Sequence, residues 1–468
     1  MTVRLRTGPL ALLLLAACGG AEHAPETSPS LAACRVNLSP RSTEPMVPLA
    51  APAFAAARST LIVNVEVPLG GVKDTLEAKV GRRVAEERDH DIGMAGRVQY
   101  TVDRGPFAVS VQGDALVIEA PLHAHAQACA KGGCYAGCDP EAKISARVPL
   151  QLGANYKFRP SAVKIEITRG CEMRALGGLV RIDMTPMLQA RLTQESKGIE
   201  AAIDRDLPDL RPQAERVWAE LAHPRALPLG ACVVLAPGGI IQGPASGAGE
   251  LARLRFGLLA HPELRARCGD APRPVPLPPL HADPSLPVEG DVHLALLLPP
   301  DAPATAFEGT SIDVGKGSAR LVRASGSVSA LTFDLSGDVC GPVGVGATGA
   351  AWSEDGRAVH LTGVSPLGID GARLASAGLD AALLSKGIEH APIAVAFAAA
   401  DLKSALPALA KSMSDERATV SATVSSAAPE TAGLRADRGQ TEVTAVVRVR
   451  GALTIHATKL PDAPLTSP

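Results

Sequence analysis

Aromatic side chains are what this chain most conspicuously has little of: seven Phe, three Tyr and two Trp in 468 residues. That scarcity argues against surfaces that hold bases or sugars by stacking them on rings, and it obliges the core to be built from Ala, Val and Leu. A bias of charge is missing as well. Forty-six Lys and Arg stand against 48 Asp and Glu, with no long run of either sign. Nucleic acid is thereby set aside as a partner, because phosphate binding needs clustered cations. No stretch reaches the roughly 20 apolar residues that a membrane-spanning helix requires. Catalytic motifs are lacking too. GPASGAG at 243–249 and GVSPLG at 363–368 miss the Gly-x-Ser-x-Gly spacing, and Gly315-Lys316-Gly317-Ser318 lacks the preceding glycine and strand-to-helix context of a phosphate loop. All three read as turns, so the chain is expected not to be an enzyme and to need no cofactor.

What is present begins at the N-terminus. Arg4 and Arg6 precede the apolar run Leu10 to Ala17, which reaches a small-residue site ending in Cys18. This is the layout of a signal peptide over residues 1–17. The residues Leu15-Ala16-Ala17-Cys18 resemble the lipobox of bacterial lipoproteins, which implies that the Cys18 thiol carries a diacylglyceryl group. Gly19 rather than an aspartate follows, and by resemblance to enterobacterial sorting this implies the outer membrane, with the body facing the periplasm or the surface. Two or more acyl chains make such anchoring stable where one is marginal.

Nine cysteines less Cys18 leave eight, and in an oxidising compartment an even number reads as disulfides. Cys129, Cys134 and Cys138 crowd one Gly-rich loop with Cys171 beyond the next strands, so two bridges are expected among these four. Cys232 opens one strand and Cys268 lies just past its expected partner. Cys34 and Cys340 remain, and a bridge between them would pin the N-terminal segment to the C-terminal half. His123 and His125 alternate on one strand just before three of these cysteines and Asp139, a set that zinc could use. The plainer reading is disulfides and two surface histidines, with no metal.

The rest of the chain reads as α+β: two elongated halves, each a long antiparallel sheet with amphipathic helices. Residues 18–56, rich in Ala, Pro and Ser, suggest a flexible tether. The first sheet-plus-helix domain is expected over 57–270. It opens with a strand from Ser59, where Leu61, Val63, Val65 and Val67 point one way, and continues in a helix over 69–86 carrying Leu76 and Val80. Strands follow near 97–103, 106–112, 115–122, 143–152 and 161–169, then a helical region over 186–221 split near Pro208 and Pro212, then strands at 231–236 and 250–260. Seven prolines between 271 and 288 mark a linker. The second domain, 289–460, repeats the pattern with strands, helices at about 370–386 and 401–413, a strand at 391–400 between them, and closing strands near 417–427 and 440–457. Residues 461–468 are expected to be a disordered tail. Leu61, Val63, Val65, Leu76 and Val80 serve equally well as the lining of a groove or as plain core.

The strand-helix opening RSTLIVNVEVPL at 58–69, TVDRGPFAVSVQG at 101–113, QAERVWAEL at 213–221 and LAPGG at 235–239 together resemble a family of bacterial lipoproteins, domain of unknown function 4403, over roughly 55–460. The chain departs from the family's usual Asn before an Ile-Pro-like turn, having RRVA at 82–85. That family is similar to the tubular lipid-binding (TULIP) superfamily, in which a curved antiparallel sheet wraps a helix around an apolar groove. The resemblance implies a curved, wrapping sheet in each half. It also implies a lipid or other apolar molecule, bound or transferred in the envelope, as the partner. A lipoprotein that docks another envelope protein without a ligand is the alternative.

Overall fold

A computed structural model describes residues 34–39, 57–91, 97–130, 133–175, 180–226, 232–265, 268, 275–298, 302–395, 399–416, 418–437 and 440–458. Cys18, the signal peptide, most of the expected tether and the expected tail lie outside these. The fold is α+β with mostly antiparallel sheets.

Its spine is a hairpin of two long strands, Ala418–Asp437 and Gln440–Ala457. The first runs ten residues beyond its expected end at 427. Bulges at Val424/Ser426 and Pro429/Thr431 break its register, and such irregularities, with Pro429, protect a long edge strand from pairing with other chains. On the inner side of Gln440–Ala457 two shorter strands lie end to end. Gly290–Leu297 runs antiparallel to residues 444–451, and Ser59–Pro68 runs parallel to residues 452–456. They meet where Asp291 pairs with Thr60. A Cβ on Gly290 would lie 2.3 Å from the Thr60 carbonyl oxygen, so only glycine fits the junction. Leu251–Ala260 pairs with the whole of Ser59–Pro68 and extends an eleven-stranded sheet. Strands from both sides of the Pro-rich stretch therefore share one sheet, where the sequence pattern suggested one sheet for each half.

Seven further strands of the first half form an antiparallel sheet built on Ala115–Ala130, and Glu172–Ala175 and Val180–Asp183 pair as a separate two-stranded ribbon. Helix Thr185–Asp206 lies over one edge of the seven-stranded sheet, where Leu192, Ile199 and Ile203 pack on Leu122, Ala146, Val163 and Ile165. Two carboxylates of this helix stand in for a missing neighbour strand: Glu200 accepts from the Val163 amide at 2.7 Å and Asp204 from that of Ser161 at 2.8 Å. The helix stops at Asp206 before Pro208, and Arg211–Ala222 begins anew with a proline in its first turn, which is the split the prolines require.

The helix expected over 69–86 is shorter, Gly70–Lys79, and the chain turns at Gly81 into the strand Arg83–Asp91. Arg104 fixes this end. Its buried guanidinium bonds the Val80 carbonyl, Glu77 Oε2 at 2.7 Å and the Gly105 carbonyl at 3.1 Å, and lies over the Phe107 ring at 4.3 Å. A cation on the last carbonyls ends a helix favourably. The charged run from Glu86 to Asp91 then lies on an edge strand, where charge discourages further pairing.

Beyond Gly290 the chain surrounds the largest core, centred on Phe307, Leu321, Phe333 and Leu384. Helices Ile369–Ser376 and Ala381–His390 divide the expected helical stretch, with the Asp380 side chain capping the second. The strand expected at 391–400 is only Ile393–Ala394, and the following helix runs Ala399–Ser412.

Of the Pro-rich segment, the described residues 275–288 form a strap packed on the first half. Trp218 Nε1 donates to the Val275 carbonyl at 2.8 Å and Tyr156 Oη to that of Pro278 at 2.7 Å. Leu286 fills the hollow left by Gly243 and Gly257. Residues 34–39, expected within the tether, also belong to the folded body. Val36–Asn37 adds a parallel strand beside Val339–Cys340, and Leu38 is buried in the large core. The apolar Val36 and Leu38 alternate with the polar Asn37 here, and this is enough to seat one short strand against an open edge.

Candidate apolar ligand surface

The shared sheet has two unlike faces. On one, Asp291 holds Arg448 at 2.7 Å, Glu430 meets His293 at 2.6 Å, and Glu66 takes Arg253 at 2.9 Å and His456 at 2.8 Å. The Arg448 guanidinium keeps the Asp291 carboxyl below its ordinary range. A recess of about 230 Å³ on this face is lined by Asn64, Glu66, Arg253, Arg255, Val288 and others. Its lining is largely polar: Glu66 is ion-paired with Arg253, and the Arg255 guanidinium donates to Asn64 Oδ1 at 3.3 Å and to the Leu286 carbonyl at 3.4 Å.

The other face is apolar along the length of the spine. Val443, Ala445, Val447 and Val449 of the spine enter the large core with Leu294. Alternation carries the same face on to Leu453 and Ile455. Register then places Val63 and Val65 beside these two, with Phe256 and Leu254 beyond, and Ala422 and Val420 on the opposite flank. These eight residues from four strands make one continuous strip, and every one is half-buried. Filled cores bound it. Towards one end Leu61 packs with Leu258 and Ala260 under Trp218; towards the other, Val67 and the last strip residue on that side, Leu254, pack with Leu69, Val72, Leu76, Val109 and Val111.

The five residues singled out from sequence therefore separate. Leu61 and Leu76 are parts of two different packed clusters. Val80 is half-buried at the turn where its carbonyl receives Arg104. Val63 and Val65 alone lie on the strip. The strip residues that sequence reasoning missed, Leu254, Phe256, Leu453, Ile455, Val420 and Ala422, carry the same apolar-polar alternation, but nothing local says that these three strands are neighbours of Ser59–Pro68.

Four disulfides join Cys34 to Cys340, Cys129 to Cys134, Cys138 to Cys171 and Cys232 to Cys268. All eight cysteines are consumed, so the thiolates that a zinc site near His123 and His125 would use are absent. His125 Nδ1 pairs with Asp139 at 2.6 Å. His123 lines a recess of about 290 Å³ with Glu119, Glu141 and Lys143, where Lys143 and Glu119 are paired at 2.8 Å. Among the described residues no group of three or more His, Cys, Asp or Glu is arranged to hold a metal ion.

A family model described as Domain of unknown function (DUF4403) matches residues 57–299. The chain belongs to this family. The matched span starts at the strand Ser59–Pro68 and ends just past Gly290–Leu297, so it holds the two strands that meet end to end, while the spine they pair with lies beyond it. No curated protein matches. Among solved structures, the crystal structure of a lipopolysaccharide binding protein is similar over 87% of this chain and 100% of its own, at 10% identity and a TM-score of 0.25. The four disulfides mark a protein that folds outside the reducing cytoplasm, and among the described residues no helix is long and apolar enough to cross a membrane.

Proposed function

We propose that this is a non-enzymatic lipoprotein of the cell envelope, anchored through lipid on Cys18, that holds or transfers a lipid acyl chain on the strip formed by Val63, Val65, Phe256, Leu453 and Ile455, in the manner of the TULIP superfamily. The observation that carries this is the strip. Apolar side chains gathered from strands remote in sequence stay half-buried between two filled cores, while the reverse of the same strands is polar and ion-paired. Apolar surface left in water is unfavourable by about 25 cal/mol per Å², and an acyl chain, which asks for no hydrogen bonds and tolerates shallow shape, is the ligand that such a surface suits. Apart from Phe256 the strip carries aliphatic side chains, which suit the flexible methylene chain of a lipid.

Native mass spectrometry of the full protein extracted from membranes tests the reading. Wild type is expected to carry added mass that dissociates as lipid, and Val65→Asp to lose it while keeping its melting temperature within a few degrees. Wild type with no bound lipid sinks the proposal. A captured envelope protein in place of lipid would support the docking alternative.

A further inference from the structure

The expected lipid anchor and the first strand of the shared sheet are separated by 41 residues, 18 to 59. A chain of that length could extend to about 140 Å. The body does not leave it that slack. Residues 34–39 are seated on the C-terminal half by several independent contacts. Cys34 is bonded to Cys340. The Val36 amide donates to the Asp338 carbonyl at 3.0 Å and that of Leu38 to Cys340 at 2.6 Å. Leu38 is 3% exposed inside the large core. Arg373, itself held by the buried Asp370 at 2.8 Å, bonds the Ser39 carbonyl. Gly341 has φ of 126°, and a Cβ there would lie 2.2 Å from the Leu38 carbonyl oxygen, so the receiving strand is shaped to take this segment.

We infer that this clamp is a leash stop: it moves the point where the chain leaves the body from residue 57 to residue 34 and thereby holds the C-terminal half, rather than the half carrying the seven-stranded sheet, towards the bilayer. The inference rests on the lipid-anchor part of the proposed function. Only 16 residues, 18 to 34, then span the gap. Whatever their conformation, they cannot reach further than about 55 Å. The eighteen-residue spine strand Gln440–Ala457 is itself about 60 Å long, so the leash is shorter than the body it holds and orientation follows. A two-residue strand is too short to persist alone. The Cys34–Cys340 bond is what makes the stop permanent.

The test uses full-length lipidated protein in vesicles of phosphatidylethanolamine and phosphatidylglycerol doped with a headgroup quencher. A fluorescent amino acid is placed at one of two exposed positions, Val322 of the C-terminal half or Val84 of the first half. In the wild-type background quenching is expected to be at least threefold stronger from position 322 than from 84. In the C34S/C340S double variant the two should differ by less than about 1.5-fold. Circular dichroism and lipid co-purification report whether that variant folds and still binds. If it unfolds, factor cleavage at a site inserted after Ser39 replaces it: with the disulfide intact the body stays on vesicles, and on reduction it is released. Equal quenching in the wild type, an unchanged difference in the double variant, or release on cleavage without reduction overturns the leash stop. Mass analysis of the N-terminal fragment separates the failures, since an unacylated Cys18 overturns anchor and stop together, whereas an acylated Cys18 with equal quenching overturns only the stop.

Discussion

The side chain of Gln242 pairs with the backbone on either side of Gln151 as a strand would: its Oε1 accepts from the Leu152 amide at 2.9 Å and its Nε2 donates to the Leu150 carbonyl at 3.1 Å. One buried amide thus stitches the exit of the seven-stranded sheet to the shared sheet, and its own backbone carbonyl receives Asp283 of the strap. Replacing it strands two buried backbone groups, each costing about 1–3 kcal/mol. Gln242→Leu is expected to lower stability by about 2–4 kcal/mol in chemical denaturation, and a loss below 1 kcal/mol would show that water satisfies both groups.

Gly290 decides whether the halves unfold together. A Cβ there would meet backbone atoms of Thr60 and Ile62 at 2.3 and 2.9 Å, which cannot move without parting the two collinear strands. Gly290→Ala is expected to cost about 3 kcal/mol, in line with overpacking elsewhere. Calorimetry should show one transition shifted as a whole. Two separated transitions, only one of them shifted, would mean the shared sheet does not couple the halves.

Acid should loosen the join between the first helix and its hairpin. The backbone hydrogen bond from Phe107 and then the Arg104 guanidinium hold the Glu77 carboxyl below its ordinary value of 4.5. A lowered folded value means that Glu77 contributes stability that is complete above about pH 4.5 and is lost as pH falls through the lower folded value. Glu77→Gln is therefore expected to melt earlier than wild type at pH 7 and to show a shallower decline below pH 4.5. Parallel melting curves of the two proteins across pH 3–7 would refute the link.

Trp218 guards the strap. It is 2% exposed and donates to the Val275 carbonyl. Trp218→Phe keeps much of the apolar contact and removes the bond, at about 1 kcal/mol. Limited proteolysis should then cut residues 275–288 several times faster, with the rest of the chain unaffected. Unchanged cleavage would assign the strap's order to Tyr156 and Leu286 instead.

By itself the sequence determined whatever depends on near neighbours along the chain. Alternation at 59–67 identified a strand and the face that Val63 and Val65 share, because successive strand side chains point to opposite sides. Pro208 and Pro212 divided a helical region because proline removes the donor that a helix needs. The even cysteine count and the strand ends at Cys232 and Cys268 anticipated disulfides. Only the tertiary structure decided which strands lie side by side. Period two states the face of a strand but not its partner, so the neighbours of Val63 and Val65, namely Leu453, Ile455, Leu254 and Phe256, could not be read from either end of the chain. The same holds for Arg104, whose place at a helix end comes from a turn twenty-four residues earlier, and for Val36 and Leu38, which read as tether until an open strand edge at Val339 gave them a partner.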